Sequence, residues 1–344
     1  MNITIDGHKC TSLEEIKSFA SEDVSEFIQE FYNGKEYIEA HTSGSTGEPK
    51  LIHLFKSDMK ESAKLTNDFF GLNEYSVFYL NLSPSYIAGK MMLVRALELG
   101  ASIFTEKPSN EPLSKYDSNE HISLGAFVPS QVSYLINHPE KLQLIDNIII
   151  GGGQLSERVE RWLAEKGVKA YKTYGMTETC SHVALAKVGV NGNPYTALGT
   201  ITFEKDDRGC LIINHQGLLQ KRFFTNDVVD LISEKEFCWQ GRIDNVINTG
   251  GIKVFPEEVE PKIAGILRKA RFFITSAPSE KWGQELLLAI EYSGLQEGEK
   301  KEGLISPNTI EKMKAILPEY SVPKKYIAVK KFKYTTSGKI IRKI

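Results

Sequence analysis

The segment NIIIGGGQLSERVERWLAEKGVKAYKTYG (147–175) constrains the fold of this chain most. An apolar run meets a glycine turn, an amphipathic stretch capped by Ser156 follows, and a second β-type run ends at Tyr174-Gly175. The spacing predicts a β-α-β unit, and hence a layered α/β sheet with helices on its faces.

The flanking patterns extend that layout. Ser12 and Glu15 have capping-box spacing ahead of one helix expected over Ser12 to Tyr32. Short strands at 37–40 and 51–55 bracket the polar loop HTSGSTGEPK (41–50), which reads as the turn of a hairpin. Helical patterns at 57–71 and 88–100 end in glycine, and ASIFT (101–105) follows as a strand. Between 190 and 240 short β-like runs suggest a more β-rich part. After Gly241 the pattern becomes a compact α+β unit, in which Pro261 is expected to kink or shorten the helix starting at Pro256. At roughly 150 residues per domain, the 344-residue chain is expected to form two domains. These are a large N-terminal one (1–241) of layered sheets and helices, and a small mobile α+β C-terminal one (242–344).

Charge and cysteine content narrow the function classes. Forty-two Lys and Arg against 44 Asp and Glu leave a formal net charge of −2, so no overall field would collect nucleic acid or an anionic membrane. The basic tail from Lys324 to Ile344 has two readings, a phosphate contact or solvated lysines on an edge strand, and the second is favoured. No aromatic platform accompanies it, so no nucleic-acid partner is expected. Four scattered cysteines without a C-x-x-C pair argue for reduced thiols, and no apolar run reaches the ~18 residues of a membrane span. MNITIDGHKC lacks a signal-peptide layout. A cytoplasmic protein without membrane insertion is the expectation.

Four motifs carry chemistry. In TSGSTGEPK (42–50), hydroxyls, glycine amides and Lys50 can wrap phosphate oxygens; the plainer reading is an exposed polar turn. It is no Walker loop, because Pro49 stands at the second glycine position and Leu51 at the hydroxyl position. YGMTETCSH (174–182) lies past a strand end, where ligands collect in open α/β sheets. There Tyr174 could stack on a base, Thr177 bond a phosphate and Glu178 hold magnesium, or the segment is an ordinary turn with a core tyrosine. In FFTNDVVDL (223–231) and QGRIDNVINTGGIKVFPEEVE (240–260), Asp227 can accept both hydroxyls of a ribose and Arg242 can reach phosphate or ribose. TTSGKIIRKI (335–344) places Lys339 on a terminal loop, where a lysine is ordinarily solvent-exposed and inert.

Together, in this order, these motifs resemble the adenylate-forming superfamily of acyl-CoA synthetases, peptide-synthetase adenylation domains and luciferases. The resemblance implies a phosphate loop at Thr42, Ser43, Gly44, Ser45, Thr46, Gly47 and Lys50 and an adenine-lining segment at Gly151, Gly152, Gly153 and Gln154. It implies base stacking by Tyr174 beside Gly175, with catalytic phosphate and magnesium contacts at Thr177 and Glu178. It further implies a ribose carboxylate in Asp227, a nucleotide contact in Arg242, a hinge at Asp244, a thiol-access loop at Thr249, Gly250 and Gly251, and a catalytic lysine in Lys339. The implied reaction joins a carboxylic acid to ATP, expels pyrophosphate, and passes the acyl group to the thiol of CoA, with Mg2+ as cofactor.

Within the superfamily, LSPSYIAGKMMLVRAL (82–97), SLGAFVPSQ (123–131) and YGMTETCSHVALAK (174–187) look most like the o-succinylbenzoyl-CoA synthetases of menaquinone biosynthesis. The phosphate loop usually follows a much longer N-terminal segment; here it begins at residue 42, and a homodimer contact or a reduced core is the expected compensation. Where many relatives carry an aromatic-His pair, Ser85-Tyr86 stand, which makes Tyr86 a candidate for the acyl pocket. A dicarboxylic acid needs a donor for the carboxylate that is not activated. Lys90 and Arg95 are candidates, weighed equally against surface helix charges, and Ser181 and His182 are further acyl candidates. The alternatives are a ligase for another aryl or acyl acid, with a carrier-protein acceptor, and a nucleotide-binding protein without turnover.

Overall fold

The computed structural model describes residues 1–41, 51–118, 120–189, 193–267, 270–334 and 340–344. Thirteen strands form one sheet. Its parallel half runs through Ala170–Gly175, Ile148–Ile150, Leu124–Phe127, Val77–Leu80, Ser102–Thr105 and Ile3–Ile5, and His8–Cys10 closes that edge antiparallel. Beyond Ala170–Gly175 every pairing is antiparallel, through His182–Lys187, Tyr195–Ala197, Glu236–Arg242, Arg222–Ser233, Cys210–Asn214 and Thr202–Lys205. The β-rich segment is therefore no separate layer; it extends the same sheet.

The parallel strands are buried on both faces, which is why they read as unbroken apolar runs. Alternate residues enter opposite cores: Phe78, Leu80, Ile149 and Ala126 lie in one, and Val77, Tyr79, Ile148, Ile150 and Phe127 in the other. The expected β-α-β unit is present, with Glu157–Glu165 as its helix and Ser156 as its cap. The hairpin is also present, Tyr37–His41 against Leu51–Phe55. The helix expected over 12–32 is two helices, Leu13–Phe19 and Glu22–Phe31, because Ala20 and Ser21 are extended and Ser21 starts a new first turn.

A second sheet of six strands holds Ile247–Thr249, Ile252–Val254, Phe272–Ser279, Gly283–Glu291, Lys300–Glu302 and Lys325–Val329. Helices Pro256–Leu267 and Pro307–Ile316 contribute Val259, Ile263 and Met313 to its core. Lys325–Val329 is not an edge strand, since it pairs on both sides. Nor does Pro261 end its helix, which continues to Leu267. The carbonyl that Pro261 cannot serve, on Glu257, accepts a hydrogen bond from the Gln154 side chain at 3.3 Å, so a neighbour satisfies it from outside. Gln154→Ala is expected to lower stability by about 1 kcal/mol, read as a lower thermal midpoint.

Candidate functional site

The candidate residues gather where the sheet changes from parallel to antiparallel. Gly151, Gly152, Gly153 and Gln154 follow the strand Ile148–Ile150, and Tyr174 and Gly175 end the adjacent strand. Past Gly175 the chain makes a single 3-10 turn, Thr177–Thr179, and folds back so closely that a Cβ on Gly175 would lie 2.3 Å from the Ser181 carbonyl oxygen. Only glycine fits there. The Thr179 hydroxyl lies 3.0 Å from the Met176 carbonyl and 2.8 Å from that of Ser181, which ties the turn shut. Thr177 and Glu178 are left half-buried on it, and no described side chain pairs with the Glu178 carboxylate.

On one side of this turn a carboxylate is surrounded by donors. Tyr174 donates its hydroxyl proton to Asp227 Oδ2 at 2.8 Å, and the Trp239 indole donates to Oδ1 at 3.1 Å. Asp227 and Arg242 are directly opposed across neighbouring strands, with Arg242 Nη1 3.8 Å from Asp227 Oδ1 and Nη2 2.7 Å from Asp244 Oδ2. Asn226 donates to both Asp244 oxygens. Burial first, and the adjacent Asp227 charge second, push the Tyr174 hydroxyl well above its usual range, so it remains a donor. Its ring packs edge-on against Phe237. The sequence reading missed Trp239, although a half-buried indole on the strand paired with Asp227 needs an acceptor.

On the other side lies a buried cation. Arg95, on the helix Ile87–Leu99, is 1% exposed, which overturns the surface-charge reading. Its Nη2 donates to Ser181 Oγ at 2.7 Å and Nη1 approaches Met92 Sδ at 3.5 Å, while Nε has no partner among the described residues. Among the described residues no carboxylate pairs with it. Burial pushes the guanidinium down to about 9, still charged at neutral pH. His182 lies against Ser181 and Thr66, and burial together with Arg95 holds its imidazole well below the usual range, hence neutral.

Lys90 does not join this cluster. It too is buried rather than a surface charge, but its ammonium lies 4.8 Å from the Phe27 ring centre and 3.7 Å from Glu30. Tyr86 is largely exposed, just ahead of the Arg95 helix. Thr249, Gly250 and Gly251 form a tight hairpin turn in the second sheet, with positive φ at both glycines and the Trp282 ring against Gly250. No contact brings that turn to the Asp227 or Arg95 clusters. The loop Thr42, Ser43, Gly44, Ser45, Thr46, Gly47 and Lys50, together with Lys339, lies outside the described residues.

Among the described residues no group of three or more His, Cys, Asp or Glu could hold a metal ion. A single open carboxylate such as Glu178 fits magnesium carried with substrate phosphates, which requires only one or two protein carboxylates. No described helix is long and apolar enough to cross a membrane.

A family model described as AMP-binding enzyme matches residues 37–216. The 2-succinylbenzoate–CoA ligase of Enterococcus faecalis is 26% identical over 335 residues, 88% of this chain and 67% of that protein. The long-chain-fatty-acid–CoA ligase FadD13 of Mycobacterium tuberculosis is 23% identical over 340 residues, 88% of this chain and 66% of that one. This chain thus spans about two thirds of the length of these relatives. An acyl-CoA synthetase (AMP-forming)/AMP-acid ligase II-like protein from Dyadobacter fermentans superposes with a TM-score of 0.61 at 28% identity, covering 96% of this chain and 97% of that one. The o-succinylbenzoate CoA synthetase of Bacillus subtilis, in complex with its acyl-adenylate intermediate, superposes at 0.75 with 19% identity, over 88% of this chain and 67% of that one. That last likeness concerns the fold alone.

Proposed function

Because the chain belongs to the AMP-binding enzyme family, matched over residues 37–216, we propose that it is an AMP-forming acid–CoA ligase whose acid is o-succinylbenzoate. The observation that carries the choice of acid is Arg95, a buried cation without a carboxylate partner among the described residues, beside Ser181 and His182. An acid with two carboxylates leaves one to be neutralised while the other reacts, and a buried guanidinium is the group suited to that task. The 2-succinylbenzoate–CoA ligases at 22–26% identity are consistent with the same acid.

In this reading the acid carboxylate attacks the α-phosphate of ATP and pyrophosphate leaves. The CoA thiol then attacks the acyl carbonyl of the adenylate and AMP leaves. Asp227 accepts the ribose hydroxyls, held in orientation by Tyr174 and Trp239, and Arg242 reaches the nucleotide. Glu178 would hold magnesium, which offsets charge on the phosphates. The 42–50 loop and Lys339 serve the same developing charge, where preorganised cations matter most. Residues 242–344, turning about Asp244, would bring Lys339 in for the first half-reaction and remove it for the second.

The test incubates the protein with magnesium, ATP, CoA and o-succinylbenzoate, beside a panel of benzoates and fatty acids, and detects acyl-CoA by mass. Selective o-succinylbenzoyl-CoA with AMP is the expected product; preference for another acid would overturn the substrate, and no thioester with any acid would overturn the ligase reading. Asp227→Asn is expected to raise the KM for ATP about tenfold, since hydrogen bonds to a charged acceptor contribute roughly 1.5–3 kcal/mol. Unchanged ATP kinetics would remove Asp227 from the ribose site.

A further inference from the structure

Asn226 stands between two groups of opposite hydrogen-bonding character. Its amide nitrogen lies 3.3 Å from each carboxylate oxygen of Asp244, and its amide oxygen lies 3.2 Å from Arg208 Nη1. A guanidinium only donates and a carboxylate only accepts, so one orientation of the amide serves both. Arg208 uses the rest of its fork to hold that place. Nη2 donates to the carbonyl of Thr225, the residue before Asn226, at 3.1 Å, and Nε donates to Asp206 Oδ2 at 2.8 Å. Asp206 in turn accepts from the Arg208 and Cys210 amides at 2.9 and 2.8 Å, which ties it to the turn leading into the strand Cys210–Asn214. Asn226, Arg208 and Asp206 all belong to strands of the thirteen-strand sheet or to the turn between two of them.

Asp244 is thus held on the large sheet twice, by Asn226 and by Arg242 Nη2 at 2.7 Å. The next residue is held elsewhere. Asn245 donates its side-chain amide to the carboxylate of Glu257, on the helix Pro256–Leu267 whose Val259 and Ile263 enter the core of the second sheet. We infer that Asn226 is a positioning residue for the rotation of the second unit: oriented by Arg208, it anchors the Asp244 carboxylate to the large sheet, so that the chain turns beyond Asp244 while Asn245 travels with Glu257. The inference rests on the reading that residues 242–344 turn about Asp244. A hinge takes up its φ/ψ change at one place only if the residue before that place is held still. Among the described residues Arg208 makes no hydrogen bond to Asp244, so its influence runs through Asn226.

The test reads amide hydrogen exchange over 243–246, a turn in which the Val246 amide bonds the Ile243 carbonyl, in wild type, Asn226→Ala, Arg208→Met and the double variant. Asn226→Ala is expected to speed exchange there about fivefold, the effect of one lost hydrogen bond at a partly exposed site, with the strand Glu236–Arg242 and the helix Pro256–Leu267 unchanged. Arg208→Met should give about threefold, and the double variant no more than Asn226→Ala alone, because the two residues act in series. Effects that multiply in the double variant, no change over 243–246, or faster exchange spread through both sheets each overturn the inference. This arm needs no turnover and decides even where the ligase reading fails. Turnover with ATP, CoA and o-succinylbenzoate is the second readout: Asn226→Ala should lower kcat about fivefold and leave the KM for ATP within about twofold. A raised KM for ATP at unchanged kcat would place Asn226 in nucleotide binding and overturn the inference. Faster exchange beside unchanged kcat and KM overturns the reading that the chain turns about Asp244. Should Asn226→Ala fail to fold, Asn226→Asp, which keeps the shape and sets a carboxylate against Asp244, is expected to show the same two changes, and their absence overturns the inference.

Discussion

Arg95→Met is expected to make the protein more stable and far less able to use its acid. The wild-type guanidinium is 1% exposed, and among the described residues its Nε has no partner and its only oxygen contact is the neutral Ser181 hydroxyl. Removing a cation from water costs several kcal/mol, which a nearby carboxylate would normally offset. Here no carboxylate among the described residues takes that role. Methionine fills similar volume, and replacing buried charge with apolar side chains is often stabilising by about 1–4 kcal/mol. A rise of the thermal midpoint by several degrees follows for a unit of this size. With o-succinylbenzoate, kcat/KM should fall about 100-fold, the loss of one charge-assisted contact of roughly 3 kcal/mol. 4-Oxo-4-phenylbutanoate, the monoacid without the ring carboxylate, should lose less than about threefold. Calorimetry and steady-state kinetics on the one variant check both halves. Equal losses with the two acids, or a lower midpoint, would mean that Arg95 serves the fold and not the acid.

Lys339→Ala is expected to reduce adenylate formation at least 100-fold while leaving thioester formation from preformed acyl-adenylate within about threefold. A preorganised donor on developing transition-state charge contributes about 10²–10³. Lys339 itself lies outside the described residues, but the chain is anchored on both sides of it. Tyr334 bridges to Ile340, the Tyr334 hydroxyl bonds Glu291 at 3.0 Å, and the Phe332 amide donates to the same carboxylate at 2.7 Å. Arg342 forks onto Glu260, with Nη2 to Oε2 at 2.7 Å, and also donates to the Ile274 carbonyl. The solvated reading of this tail concerned its lysines, and Arg342, which stands among them, is paired with Glu260. ATP–pyrophosphate exchange measures the first half-reaction alone, and an undiminished rate in the variant would take Lys339 out of the mechanism.

Local signals in the sequence were legible where one residue decides one feature. The Ser12 and Glu15 capping box forms, and Gly71 and Gly100 end their helices in the left-handed conformation. The alternation over 147–175 likewise marked the helix Glu157–Glu165 between the parallel strands Ile148–Ile150 and Ala170–Gly175. Features that depend on distant partners were not legible. Pro261 reads as a helix stop until Gln154 arrives from another element. Arg95 and Lys90 stayed open between a carboxylate contact and surface helix charges because their neighbours, Ser181 and Glu30, are far away in the chain. That the β-rich part extends the same sheet was not legible, since short strands carry no mark of the sheet they join. In the site, the motifs located Tyr174, Asp227, Arg242, Ser181 and His182, but not Trp239, whose place beside Asp227 comes from strand pairing.

The place of the first strand sets a schedule for synthesis. Ile3–Ile5 lies parallel to Ser102–Thr105, with Thr4 opposite Ser102, and through it His8–Cys10 joins the sheet. At roughly 5–20 residues per second, Ile3–Ile5 must wait on the order of 5–20 s after its own synthesis for that partner. Until then an apolar segment with open backbone groups stands exposed, a ready template for pairing with another chain. Yield from expression should therefore depend on translation speed and chaperone supply while the residues between these two strands are made, more than on the stability of the finished protein.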